Sequence, residues 1–156
     1  MLGLLIYQGL QTEEITRLEP EHLHLKEGKV FIKGTSYSNE RWLALQAHQV
    51  TQLQDYLQSS RIRQGVFLAR PVRVDASERN ISNRMRHMIV QLQKLNPKVI
   101  NANQLRNSVI ALWLQRYHLR QVQYMAGHKY VSSTQRYKVL SGEDWQSELQ
   151  KYHPMG

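Results

Sequence analysis

The chain has 156 residues, 41% hydrophobic and 21% charged, which is the composition of one folded domain and not of a disordered tail. It contains no cysteine, so disulfide scaffolds, cysteine-ligated zinc or iron–sulfur sites and thiol nucleophiles are excluded. No apolar run approaches the roughly 20 residues of a membrane span, and the apolar start has no basic residue before it. A cytoplasmic protein without membrane association is therefore expected.

The net charge of +9 is distributed unevenly along the chain. Residues 1–60 carry five Lys and Arg against seven acidic residues, whereas residues 61–140 carry fifteen against two. A positive field concentrated in one half indicates a polyanionic partner, of which nucleic acid is the commonest. The alternative is a basic surface that only keeps the protein in solution.

Apolar residues at helical spacing predict an amphipathic helical protein interrupted by one short β region. Between residues 22 and 45 the period changes to two, which predicts three antiparallel strands with a turn at Glu27-Gly28 and a longer loop from Gly34 to Asn39. The fold class is therefore mainly α with a small three-stranded antiparallel sheet. A basic connector is predicted at residues 61–75. Helices are predicted near residues 2–10, 12–19, 46–58, 77–95, 105–116, 119–125, 131–139 and 143–152.

Two histidines in the first predicted strand, His22 and His24, would share one face of it. A histidine pair at this spacing can bind metal, but no third ligand lies nearby in the sequence. We therefore expect both to be solvated face residues, and we predict no metal site.

Four short motifs occur in a characteristic order. Gly127-His128 precedes Tyr137 by nine residues, with a Ser/Thr-rich turn between them, and this resembles the C-terminal signature of the tyrosine recombinase (phage integrase) family. Residues 103–107, Asn-Gln-Leu-Arg-Asn, resemble the family's His-x-Leu-Arg-His box. Residues 9–14, Gly-Leu-Gln-Thr-Glu-Glu, resemble its Gly-Leu-Arg-x-x-Glu box. The strands that end at 39–41, Asn-Glu-Arg, resemble its Gly-Lys-Gly-Asn-Lys-Glu-Arg hairpin.

The resemblance implies the catalytic-domain fold of that family and its chemistry. Family members cut DNA with a tyrosine that attacks the scissile phosphate and forms a 3′-phosphotyrosine. Two arginines and a histidine hold the nonbridging oxygens, a second histidine assists proton transfer, a hairpin lysine protonates the leaving 5′-oxygen, and no metal or other cofactor is needed. By this match Tyr137 is the nucleophile, Arg106 the second arginine and His128 the second histidine.

Three family positions are occupied by residues without the expected charge. Gln11 stands at the first arginine, Asn103 at the first histidine and Thr35 at the hairpin lysine, with Lys33 close enough to substitute if the hairpin register differs. Loss of one preorganised donor typically lowers a rate by about 10²–10³. Impaired activity is therefore expected, because Arg17 and Arg41 are predicted to lie too far away to compensate.

Structural roles are the alternatives for the site residues. Arg106 could be the ion-pair partner of Glu14, and His128 could cap the helix before it. Tyr124 and Tyr130 are expected to be packing residues and not nucleophiles.

The expected partner is double-stranded DNA, in a prokaryote within the nucleoid. The resemblance covers about residues 1–152 and implies one catalytic-type domain over residues 1–156, without the family's N-terminal DNA clamp and the first helix of its catalytic domain. A homo-oligomer on DNA could form through a C-terminal helix with an apolar stripe of Trp145, Leu149 and Tyr152. The predicted DNA contacts are Arg79, Arg84, Arg86, Lys94, Arg116, Arg120 and Lys129.

Three functions remain open on the sequence. The first is an integrase or site-specific recombinase domain that acts in DNA integration or recombination. The second is a degenerate relative that binds DNA or a recombinase partner without cutting. The third is an unrelated basic helical regulator that binds nucleic acid.

Overall fold

The structure, a computed structural model, describes residues 1–60 and 77–139 of the chain. Within these ranges the domain is mainly helical, as predicted, and no helix there is long and apolar enough to cross a membrane. The predicted connector at 61–75 and the C-terminal stripe of Trp145, Leu149 and Tyr152 lie outside the described residues. The helices are α1 (Leu2–Ile6), α2 (Thr12–Thr16), α3 (Ala47–Ser60), α4 (Ser77–Leu95), α5 (Ala102–Arg116), α6 (Leu119–Ala126) and α7 (Val131–Val139).

One antiparallel sheet interrupts the helices, as the change of period predicts. Its strands are β1 (Leu23–His24), β2 (Lys29–Ile32) and β3 (Arg41–Ala44), in that spatial order. Val30 lies opposite both Leu23 and Leu43, so the alternating apolar residues share the face that packs on the core. The predicted three-stranded meander is confirmed.

The first strand is shorter than predicted, because residues 20–22 and 25–27 form 3₁₀ turns on either side of it. The first turn directs His22 inward, where it is only 4% exposed and its ring packs edge-on against Phe31. Its Nδ1 accepts a hydrogen bond from the backbone N–H of Glu19 at 3.0 Å. The prediction of a solvated residue is therefore wrong for His22, since its side chain closes the turn instead of facing water.

Two hydrophobic clusters hold the described part of the domain together. The larger one joins α1, α2, the sheet and α4, and it contains Leu5, Ile15, Val30 and Ile81. A smaller cluster joins α5, α6 and α7 through Ile110, Val122, Ala126, Trp113, Leu114 and Tyr137. The second cluster fixes the relative positions of the three helices that carry the C-terminal motifs.

A buried ion pair ties α2 to β3. Arg41 donates from Nη1 and Nη2 to the two carboxylate oxygens of Glu14, at 2.7 and 3.0 Å, and neither side chain is exposed. Arg41 also donates from Nε to the carbonyl of Met125 at 2.8 Å and from Nη1 to that of Asn39 at 3.3 Å. Glu14 is therefore paired with Arg41 and not with Arg106, which corrects the alternative considered for Arg106.

Candidate active site

A polar cleft of about 530 Å³ opens where α2, α5 and α7 meet. Residues from three of the four motifs reach it, although they lie far apart in the sequence. The cleft is lined by Gln11, Thr12, Glu13, Asn103, Arg106, Asn107, His128 and Tyr137.

Arg106 enters the cleft from a largely buried position on α5, where it is 5% exposed. Its Nη1 donates to the carbonyl of Gly9, and its Nη2 donates to the carbonyl of Ala126 at 2.7 Å. Gly9 can present this carbonyl because its backbone has a positive φ of 55°, which glycine adopts readily. The two carbonyls orient the guanidinium, and its remaining N–H groups are available to an anion in the cleft.

His128 follows the left-handed Gly127 that ends α6. Its Nδ1 lies 2.8 Å from the hydroxyl oxygen of Thr134, which is completely buried on α7. Burial lowers the pKa of His128 to about 4, and the nearby charges of Arg106 and Arg41 act in the same direction. The imidazole is therefore neutral at pH 7. Its side chain bonds to α7 and does not cap α6.

Tyr137 extends from α7 across the second hydrophobic cluster, and its hydroxyl lies at the cleft. The hydroxyl donates to Oδ1 of Asn107 at 2.9 Å, and the ring stacks on that of His128 with centroids 6.0 Å apart. Burial raises the pKa of Tyr137 above its ordinary value, while the charges of Arg106 and Arg136 oppose this effect. The resting side chain is therefore a neutral phenol at pH 7.

The two substituted family positions Gln11 and Asn103 both line the cleft. The backbone N–H of Gln11 donates to Glu14 at 2.8 Å, which fixes the start of α2 at the cleft. Glu13, the acidic residue of the lining, has its carboxylate 2.7 Å from Arg17. Among the lining residues that the structure describes, Arg106 alone is a permanent cation.

Neither residue predicted at the hairpin lysine position lines the cleft. The hydroxyl of Thr35 accepts the backbone N–H groups of Tyr37 and Ser38, so it shapes the loop between β2 and β3. The ammonium of Lys33 lies 3.7 Å from Glu21 and 4.0 Å from Glu19. The register of the hairpin therefore directs Lys33 to an acidic turn.

Arg41 lies closer to the cleft than the sequence suggested, but it cannot contact a ligand. Its guanidinium sits directly beside Gly127, where a Cβ would collide with it. Because the side chain is buried and bonded to Glu14, it acts on the site through its charge and through the placement of α6. The alternation in β3 contained the signal, since residue 41 shares the inward face with Leu43.

Two further residues of the site were missed in the sequence, Asn107 and Thr134. Asn107 occupies the last position of the box at residues 103–107, and Thr134 lies in the Ser/Thr-rich turn before Tyr137. Their positions within the motifs could have indicated them, but only the packing of α5 against α7 identifies their partners.

The other tyrosines near the site are not packing residues, contrary to prediction. Tyr124 is 51% exposed and Tyr130 is 72% exposed. Tyr124 lies on the outer face of α6, where its hydroxyl accepts the backbone N–H of Trp42 at 3.0 Å. Neither residue is among those that line the cleft.

Most of the basic residues predicted to contact DNA are on the surface. Arg84 is half-buried on α4, and the side chain of Arg79 lies outside the described part of the chain. The exposed ones are Arg86, Lys94, Arg116, Arg120 and Lys129.

One group of potential metal ligands occurs among the residues that the structure describes, formed by Glu19, Glu21 and His22 within 4.8 Å. Nδ1 of His22 accepts a hydrogen bond from the backbone, so Nε2 carries the proton of the neutral ring. The ammonium of Lys33 already lies beside both carboxylates. This arrangement favours a turn stabilised by a hydrogen bond and ion pairs over a metal site.

The fold is that of a tyrosine recombinase catalytic domain. The model of the phage integrase family matches residues 1–143, and the chain belongs to this family.

Curated relatives agree with this assignment. The chain is 26% identical to tyrosine recombinase XerD of Xanthomonas campestris pv. campestris in an alignment 168 positions long, which covers all of this chain and 52% of the relative. It is 30% identical to tyrosine recombinase XerC of Salmonella typhi in an alignment 159 positions long, which covers 99% of this chain and 52% of the relative. The chain spans about half the length of these relatives.

Solved structures show the same fold. The crystal structure of XerA recombinase superposes with a TM-score of 0.72 at 21% identity, over 96% of this chain and 56% of the other. The Tn1549 transposon integrase in complex with circular intermediate DNA superposes with a TM-score of 0.63 at 13% identity, over 96% of this chain and 58% of the other.

Proposed function

We propose that this chain is a DNA-binding recombinase domain in which Tyr137 cuts one DNA strand, at a rate reduced by the substitutions in its cleft. The observation that carries the proposal is the meeting of Tyr137, Arg106 and His128 in one polar cleft, in a chain of the phage integrase family. The relatives named as recombinases and the integrase complexed with DNA support the same assignment.

The proposed reaction is a transfer of a phosphoryl group from DNA to Tyr137. The phenol oxygen forms a bond to phosphorus, and the bond from phosphorus to the 5′-oxygen breaks. The products are a 3′-phosphotyrosine and a free 5′-hydroxyl, and rejoining reverses these steps. Arg106, oriented by the carbonyls of Gly9 and Ala126, is proposed to hold a nonbridging oxygen and to stabilise the charge that develops on it.

His128 is proposed to take part in proton transfer during strand cleavage. The attacking phenol must lose its proton, and the neutral imidazole of His128 lies roughly parallel to its ring, with centroids 6.0 Å apart. His128 is therefore proposed as the acceptor of that proton. The leaving 5′-oxygen must gain a proton, and water is its proposed source because Lys33 lies beside Glu19 and Glu21 and does not line the cleft.

The reduced rate follows from the charges of the cleft. Gln11 and Asn103 can donate neutral hydrogen bonds to a phosphate but cannot neutralise it. Arg106 must then neutralise the negative charge of the pentacoordinate phosphate largely alone. Since the loss of one such donor commonly lowers a rate by about 10²–10³, slow cleavage is expected.

Binding of double-stranded DNA is assigned to the basic half of the chain. The exposed side chains of Arg86, Lys94, Arg116, Arg120 and Lys129 supply positive charge on α4, α5, α6 and the turn after it. Contacts of this type bind phosphates with little dependence on sequence and weaken as salt is added.

A nicked suicide duplex tests the proposal, because the nick lets the short 5′-product diffuse away and traps the covalent intermediate. The wild-type chain is expected to form a slow adduct that survives denaturing electrophoresis. Gln11→Arg should accelerate its formation by about 10²-fold, because it returns a cation to the cleft. Gln52→Arg on α3, outside the cleft, is the matched control and should not accelerate it.

The small number of cationic side chains in the cleft also favours a second function, in which the domain binds DNA or a recombinase partner without cutting. Its supporting observation is that Arg106 is the single permanent cation among the described lining residues. Salt-dependent DNA binding with no adduct in wild type or in Gln11→Arg would contradict the cutting domain and support this second function.

A further inference from the structure

The hydroxyl of Tyr137 has a defined partner within the cleft. It donates to Oδ1 of Asn107 at 2.9 Å, across a separation of 30 residues in the chain. Asn107 directly follows Arg106 on α5, and both side chains line the cleft. The bond therefore connects α7 to α5 at the point where a phosphate would bind Arg106.

We infer that Asn107 is a positioning residue that orients the Tyr137 hydroxyl in the cleft and holds it as a neutral phenol until DNA is bound. This inference rests on the proposed function of Tyr137 as the nucleophile.

The chemistry of the amide explains both effects. In the observed orientation Asn107 presents Oδ1, which only accepts hydrogen bonds, so it can pair with a phenol but not with a phenolate; a phenolate would require the amide to turn over and present Nδ2. A hydrogen bond made only by the neutral form disfavours ionisation of that group. The amide oxygen is too weak a base to remove the proton, so Asn107 orients the hydroxyl without activating it.

The other neighbours of Tyr137 do not supply this orientation. His128 contacts it by ring stacking, and the hydrogen bonds of the described residues include none between the two side chains. The charged groups around Tyr137 are Arg106 on α5 and Arg136 on α7, and both favour ionisation. Glu13 lies across the cleft on α2. All of these groups remain in place when Asn107 is replaced.

Two substitutions separate positioning from general damage. Asn107→Ala removes the acceptor and admits water, so the pKa of Tyr137 should fall. Asn107→Asp keeps an acceptor at the same place but adds a negative charge, so the pKa of Tyr137 should rise. A local loss of structure would expose the ring in both variants and move the pKa in the same direction in both.

The effect on strand cleavage should differ in the same way. At saturating DNA, Asn107→Ala should slow adduct formation about tenfold, because the hydroxyl loses its fixed direction, and this corresponds to about 1.4 kcal/mol. Asn107→Asp should shift the pH dependence of adduct formation to higher pH and recover most of the wild-type rate there. Gln58→Glu, on an exposed position of α3, introduces the same charge without the contact and should change neither property.

The decisive measurement is a titration without DNA, in protein whose tyrosines carry ¹³C at Cζ. The Tyr137 signal is assigned by its loss in Tyr137→Phe. Opposite shifts of the Tyr137 pKa in Asn107→Ala and Asn107→Asp would support the inference. Shifts in one direction, or none, would overturn it.

The two proposals can fail separately. Opposite pKa shifts in a protein that forms no adduct would support the hydrogen bond between Asn107 and Tyr137 but contradict the role of Tyr137 as the nucleophile. An adduct on Tyr137 whose rate and pKa do not respond to Asn107 would support the proposed function and overturn the positioning role.

Discussion

Replacement of Arg41 by methionine should destabilise the domain severely at neutral pH. The substitution removes the two hydrogen bonds to Glu14 and the bonds to the carbonyls of Met125 and Asn39. Because both charged side chains are fully buried, the remaining carboxylate has no access to water. Breaking a buried pair of this kind costs about 3–5 kcal/mol, a large part of the roughly 5–15 kcal/mol that stabilise a typical domain.

The cost should depend on pH. Burial alone would raise the pKa of Glu14, but the hydrogen bonds and charge of Arg41 outweigh it and hold the pKa below its ordinary value of 4.5. The pair therefore stabilises the wild type above that value, and this contribution is lost as the pH falls through the lower folded-state pKa. In Arg41→Met the pKa of Glu14 should rise, so protonation removes the unpaired charge. The difference in unfolding free energy should be smaller at pH 4 than at pH 7.

Urea unfolding followed by circular dichroism measures these differences. The companion variants are Glu14→Leu and the double variant Glu14→Leu/Arg41→Met. The double variant should lose at least about 2 kcal/mol less than the sum of the single losses, because it leaves no unpaired charge. Additive losses, or a loss from Arg41→Met below about 1 kcal/mol at pH 7, would refute the assigned pairing.

Three further predictions concern the turn after α6, the histidine and the basic surface. Gly127→Ala should lower the unfolding free energy by about 2 kcal/mol or more, because the φ of Gly127 is 70° and a Cβ there would collide with Arg41. The control is Gly28→Ala, where φ is 63° but a Cβ meets open space, and its cost should be about 1 kcal/mol. As the pH falls from 6.5 to 4, the unfolded chain binds a proton at His128 before the folded state does, so the wild type should lose up to about 3 kcal/mol of stability. His128→Gln should remove this part of the loss, and an unchanged pH profile of stability would contradict the depressed pKa. Arg86→Gln should lower the slope of log K for duplex DNA against log salt by about 0.9, and an unchanged slope would exclude this side chain from the interface.

The sequence predicted the architecture well, because the fold depends on patterns that are local. The change between helical and strand periods located the sheet, and Gly127 marked the end of α6 in its left-handed conformation. The order of the four motifs identified the family. The turn before the short β1 strand was harder to predict, because the side chain of His22 closes it by accepting a hydrogen bond from the backbone of Glu19, and no periodicity reveals such a bond.

The parts of the site that were missed depend on contacts between distant elements. Arg41 was placed at a remote strand end, yet the docking of the β2–β3 loop on α6 buries it against Glu14. The loop residue Asn39 donates from its backbone N–H to the carbonyl of Gly127 at 2.8 Å, a contact between residues 88 positions apart. The partner of the Tyr137 hydroxyl likewise emerges only when α5 and α7 pack. Such pairings are tertiary, so neither residue type nor spacing specifies them.

The identity of the residue joined to DNA tests the central claim most directly. The trapped adduct of the Gln11→Arg chain, which should accumulate fastest, can be formed in Tyr137→Phe and Tyr130→Phe backgrounds and quantified on a denaturing gel. Tyr130 is exposed and outside the cleft, so Tyr130→Phe should leave the yield unchanged, whereas Tyr137→Phe should abolish it. An adduct that persists in Tyr137→Phe, or that disappears in Tyr130→Phe, would contradict the assignment of Tyr137 as the nucleophile.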